Sequence, residues 1–203
     1  MKIVRVFSSC AATALGLSCA ASAWATPALT FTPGTFTAAN SNQSVGWQFD
    51  VLAATTVTGL GWFDDNADGL GLAHQVGIWD PSGALLTSAT VPAGTAAPFD
   101  GQFRTVAVAP ITLVPGNGYI VGGENFATST DRLASNVPAQ TVVPTLRYID
   151  ATFSTIGSGF VRPATLSAAT NGFYGPSFSV PEPAAAAVLF LGSSCLLVRR
   201  RQE

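Results

Sequence analysis

The stretch Val45-Gly-Trp-Gln-Phe-Asp-Val-Leu52 alternates apolar and polar residues with a period of two. Val45, Trp47, Phe49 and Val51 fall on one face, and Gly46, Gln48 and Asp50 on the other. Only an extended chain places every second side chain on the same side, so this segment reads as a half-buried strand. From here to Val180 the chain is rich in Thr, Val, Gly, Pro and aromatic residues, has no lysine, and carries no long 3.6-residue period. That combination excludes a helical core and points to an all-β domain.

Further strands follow the same logic. Val57 to Phe63 is expected as one, and Gln75 to Trp79 and Ala84 to Val91 as a hairpin closed by Asp80-Pro-Ser-Gly83, with Pro and Gly where a turn uses them. Arg104 to Val108 reads as another strand. Ile111 to Val114 is expected to pair with Tyr119 to Gly122 across Pro115-Gly-Asn-Gly118. Leu146 to Phe153 and Phe173 to Val180 complete about eight to nine strands, the number used by a jelly-roll or Greek-key-like antiparallel β-sandwich. The stretches Phe126 to Gln140 and Gly157 to Gly172 read as loops over the ends of the sandwich.

Two apolar segments flank this domain. Lys2 and Arg5 precede the apolar run Val6 to Ala20, and small residues follow at Ala21-Ser-Ala-Trp-Ala25, the order of a signal peptide helix cut by signal peptidase after Ala25 or, alternatively, Ala23. At the other end stand Pro181, Glu182 and Pro183, then the uncharged run Ala184 to Val198, then Arg199, Arg200 and Arg201. Pro181 fixes its own φ and Pro183 holds Glu182 out of the α region, so the triplet is extended just before a helix can start. As a helix the apolar run reaches about 22 Å, short of the roughly 30 Å hydrocarbon core, which makes it a marginal transmembrane anchor. Positive charge beside both apolar segments places those ends in the cytoplasm and exports the chain between them. All three cysteines, Cys10, Cys19 and Cys195, lie in the flanking segments, so the exported part has no disulfide or thiolate chemistry.

The ordered tail of triplet, apolar helix and arginines resembles the PEP-CTERM sorting signal, which exosortases read in Gram-negative bacteria that make exopolysaccharide. The resemblance implies a signal peptide at 1–25, an exported domain at 26–179 and a sorting signal at 180–203. It implies transient membrane anchorage, then release to the cell surface or the exopolysaccharide matrix of a biofilm. The segment Leu60 to Tyr119 is similar to an uncharacterised β-sandwich domain that often accompanies such tails. Its features here are Gly61-Trp-Phe-Asp-Asp-Asn-Ala-Asp-Gly-Leu70, His74-Gln-Val-Gly-Ile-Trp-Asp80, Val91-Pro-Ala-Gly-Thr95 and Thr112-Leu-Val-Pro-Gly-Asn-Gly-Tyr119. That likeness implies a fold and a location, not an activity.

Between Thr26 and Val180 four arginines (Arg104, Arg132, Arg147, Arg162) face nine acids, a net charge of −5. A domain so charged offers no basic patch to nucleic acid. Its densest polar cluster is Asp64-Asp-Asn-Ala-Asp-Gly69. Asp64, Asn66, Asp68 and the Leu70 carbonyl stand at the alternating places of the first half of a calcium loop, although Gln75 holds the twelfth place and no helices flank it. Two readings stand, a calcium site or a connector shaped by side-chain to backbone bonds.

His74 is the only histidine. Alone it cannot build a zinc site, and beside a strand it reads as structural or exposed rather than catalytic. If Trp62 or Trp79 left the core face it could stack on sugar rings. The expected function is a non-enzymatic structural or interaction role. The alternatives are a carbohydrate-binding module with an exposed aromatic row among Trp47, Trp62, Trp79, Tyr119 and Tyr148, and a secreted hydrolase using carboxylates such as Asp64 and Asp65.

Overall fold

A computed structural model describes residues 25–38, 41–167 and 172–181 of the 203-residue chain. The described strands are β1 (Ala25–Pro27), β2 (Leu29–Phe31), β3 (Thr35–Ala38), β4 (Gln43–Val51), β5 (Thr55–Phe63), β6 (His74–Trp79) and β7 (Leu85–Val91). The chain continues through β8 (Phe103–Leu113), β9 (Gly116–Asn125), β10 (Arg132–Ser135), β11 (Gln140–Val142), β12 (Leu146–Phe153), β13 (Thr165–Leu166) and β14 (Pro176–Pro181). The fold is all-β, with antiparallel pairing throughout and no helix among the described residues. The expected signal helix, the apolar run Ala184 to Val198, and Glu182, Pro183 and Arg199 to Arg201 lie outside the described residues.

Two sheets carry the core. One has four strands in the order β1-β14-β5-β8, the other six in the order β13-β12-β4-β9-β6-β7. Short ribbons β10-β3 and β11-β2 lie beside them. The alternation of β4 does what its period demands, and Val45, Trp47, Phe49 and Val51 are all buried. Trp47 stacks on Phe178 of β14 with ring centroids 5.7 Å apart and 12° between planes, and Phe49 meets the same ring at 5.2 Å. Those contacts join one sheet to the other, an arrangement consistent with a β-sandwich. The Trp47 indole N–H donates to the Pro176 carbonyl at 3.0 Å, so its one polar group is satisfied in the core.

The hairpin β6-β7 forms as expected. Asp80 N–H donates to Ala84 O at 2.9 Å, and Gly83 takes φ 94°, a value that favours glycine. Three expectations change. The hairpin across Pro115-Gly-Asn-Gly118 does not form: β8 pairs with β5, while β9 pairs with β4 and β6 in the other sheet. Alternation reports that a strand has a buried face, but not which sheet the strand joins.

Pro110 does not split β8 in two. Between the pairs Gly59↔Ala107 and Val57↔Ile111 the register shifts, and Pro110 lies in that irregularity, where a missing N–H costs no regular ladder bond. The two stretches expected as loops also contain short strands, β10 and β13, and the first ends where β11 begins. They are two to four residues long, too short to show a period.

Candidate functional site

Loop 97–102 connects β7 to β8, passes over the four-stranded sheet, and is over-determined by hydrogen bonds. Asp100 N–H donates to Phe103 O at 3.0 Å, and Phe103 N–H returns a bond to Asp100 Oδ1 at 3.2 Å. Thr105 N–H donates to Pro98 O at 2.9 Å, and Gly101 makes the turn with φ 95°. The Gln102 side chain accepts from Phe31 N at 3.1 Å and donates to Phe31 O at 2.9 Å, which pins the loop to β2. A turn held by this many bonds is preformed.

Asp100 reaches down from the turn. Its Oδ2 accepts from Thr105 Oγ1 at 2.9 Å and Ser179 Oγ at 3.4 Å. Burial pushes its carboxyl pKa up, and the bonds from Thr105, Phe103 and Ser179 only partly offset that. Phe99 stands beside it, 39% exposed, with the Arg104 guanidinium 5.1 Å from its ring centre. Two hollows meet at this loop. One of about 760 Å³ runs along Ala25 to Pro27, Gly59 and Ala107, and the other of about 350 Å³ runs along Phe36, Phe63 and Asp64 to Ala67. Phe99 and Gly101 line both.

The expected calcium loop borders the smaller hollow but is not assembled as a ligand cage. Asp64 is buried, and its Oδ2 accepts from Arg104 Nε at 2.8 Å and Gly69 N at 3.0 Å. The Leu70 carbonyl accepts from Gly94 N at 2.6 Å, while Asn66 and Asp68 are exposed. The connector reading describes this geometry. Arginine has taken the place a cation would need. Melting of the purified protein is therefore expected to be the same in EDTA and in millimolar Ca²⁺, and a chelator-sensitive melt would return the loop to the calcium reading.

The expected stacking residues are corrected. Trp62 is fully buried and lies flat on the His74 ring, 3.9 Å between centroids and 6° between planes. Trp79 is 5% exposed and packs on Phe160 at 5.2 Å. Trp47 and Tyr119 are buried as well, and Tyr148 is half-buried against the core, so the expected row of exposed aromatics does not form. Adjacent Trp62 and Phe63 both find cover because β5 is packed on both faces: Trp62 meets His74 of the other sheet, and Phe63 meets Phe31 and Phe36 of the short ribbons.

The neighbouring acids Asp64 and Asp65 each hold an arginine, Arg104 and Arg132. His74 is fully buried, with one ring nitrogen 2.8 Å from Glu124 O and the other 2.8 Å from Asp131 Oδ2. Phe99 and Asp100 had escaped the sequence reading. Their signal is Pro98-Phe-Asp-Gly101, because an aromatic residue at an Asp-Gly turn has no sheet face in which to hide.

No curated protein and no solved structure matches this sequence. The profile described as "Domain of unknown function (DUF4082)" matches residues 30–184, which takes in both sheets apart from β1, and the chain belongs to that family.

Proposed function

We propose that the protein is an exported, non-enzymatic surface protein, sorted through a PEP-CTERM tail and released by an exosortase to the cell surface or exopolysaccharide matrix. The end of the domain supports this reading. β14 keeps its pairing through Pro181, opposite Ala25 of β1, so the first residue of the triplet still belongs to the sheet. No linker separates the folded part from the expected recognition element, and a cut after Ala25 leaves the Thr26↔Val180 and Pro27↔Ser179 pairs in place. The finer fold is a jelly-roll or Greek-key-like sandwich, a reading supported by sequence neighbours β8 and β9 lying in different sheets. A non-catalytic role is supported by the engagement of Asp64, Asp65 and His74 in fixed pairs.

The test replaces Pro181, Glu182 and Pro183 by alanine in cells that carry the exosortase. Surface protein is expected to fall to near the level of cells lacking the exosortase, with the full-length chain retained in the inner membrane. Normal loss of the tail in the alanine variant would refute the sorting reading.

A further inference from the structure

We propose that the trough formed by the two hollows around Phe99 binds a neutral saccharide chain. The floor of the larger hollow is made of small residues, Gly59 and Ala107, and its wall carries Pro98 and Phe99. Such a slot is mostly apolar, with Thr26, Thr58, Thr105 and Asp100 as its polar side chains. A sugar ring has the matching chemistry, an apolar C–H face that lies on an aromatic ring and hydroxyls at its rim that need acceptors. Asp100 has acceptor capacity to offer. A carboxylate has about four lone-pair sites, and Oδ1 is used by Phe103 N alone while Oδ2 takes Thr105 and Ser179.

Charge narrows the ligand further. Among the described residues neither hollow is lined by Lys, Arg or His. The two cations beside the hollows are committed, Arg104 to Asp64 and the Ala97 and Ala67 carbonyls, and Arg132 to Asp65 and the Phe36 ring. Phosphate polymers and polyuronates would therefore enter against Asp100 without a counterion. A cationic chain would find one unpaired carboxylate, since Asp64 and Asp65 hold arginines. Two hollows that share one exposed ring suit a neutral chain whose successive sugar units lie on either side of that ring.

The trough is also ready-made. The hydrogen bonds at Asp100, Gln102 and Thr105 fix Phe99 before any ligand arrives, so little ordering cost is left for binding. Phe99 stays 39% exposed on this rigid turn even with the Arg104 guanidinium 5.1 Å from its ring centre. This proposal stands apart from the sorting proposal, and either can fail without the other.

The test uses the full-length chain in a sugar-free polyoxyethylene detergent, run in native gels containing a soluble neutral β-glucan, a galactomannan or polygalacturonate. Retardation is expected with at least one of the two neutral polymers and not with polygalacturonate. Phe99→Ala removes the platform and Ala107→Phe fills the floor. Each is expected to weaken binding by about tenfold or more, as truncation of a central aromatic anchor does. Leu86→Ala, exposed on β7 away from the trough, is expected to bind normally. Melting curves check that both trough variants are folded. No retardation by either neutral polymer, retardation by polygalacturonate alone, or unchanged binding in both folded trough variants would overturn the proposal.

Discussion

A chain running from Ala25 and ending after Gly172 will not fold, whereas one ending after Val180 will be soluble and β-rich. β14 is an interior strand of the four-stranded sheet, with β1 on one side and β5 on the other, so its loss divides that sheet. Tyr174, Phe178 and Val180 go with it, at 0%, 1% and 8% exposure. Burial of the two aromatics alone is worth about 3 to 6 kcal/mol, a large share of the roughly 5 to 15 kcal/mol that holds a domain together. Trp47 also loses the Pro176 carbonyl that its indole N–H uses, which leaves a buried donor unpaired at about 1 to 3 kcal/mol. Circular dichroism and thermal melts of the two chains decide it. Equal melting of both would mean that Phe173 to Val180 is a linker.

How much of this was legible depends on the range over which each feature is encoded. The face of β4, the turn at Asp80 to Gly83 and the strands β5, β7 and β12 are local properties, set by alternation and turn chemistry within a few residues. Sheet membership is not local. Val57 faces Ile111, and Phe178 faces Leu60, through pairings that no stretch of a dozen residues contains.

The same range separates the hits from the misses at the candidate site. The Asp64 to Gly69 cluster was visible as a string of oxygens, but its meaning was fixed by Arg104, forty positions away. The tryptophans were visible as aromatics on strands. Their burial depended on β5 having cover on both faces, Trp62 under His74 and Phe63 under Phe31 and Phe36. Phe99 and Asp100 sat at a recognisable turn, yet nothing nearby says that two hollows would open on either side of it.

Asp131→Asn is expected to lower the melting temperature by about 10 °C or more near neutral pH, through the one buried pair that links β6 to the loop before β10. His74 has a carbonyl on one ring nitrogen and a carboxylate on the other, both at 2.8 Å. The Glu124 carbonyl can only accept, so one ring nitrogen donates to it, and Asp131 holds the other. Trp62 lies flat against the imidazole at 3.9 Å and closes that face of the ring. Asp131 also accepts from Gly71 N at 2.7 Å, Leu72 N at 3.1 Å and Ser129 Oγ at 2.7 Å.

Burial works against the Asp131 carboxylate, but the bonds from His74, Gly71, Ser129 and Leu72 outweigh it and hold its pKa down to about 2. A lowered acid pKa adds stability above the ordinary value of 3.8 and loses it as the pH falls through about 2. Asp131→Asn breaks this buried, hydrogen-bonded pair, at about 3 to 5 kcal/mol. For a domain of this size that corresponds to about 10 °C in melting temperature, at about 2 to 4 °C per kcal/mol. The gap between wild type and Asp131→Asn should narrow as the pH is lowered from about 4 toward 2, because the wild-type carboxylate is then being neutralised too. A variant melting within a degree or two of wild type would show that the pair is not the clamp its geometry describes.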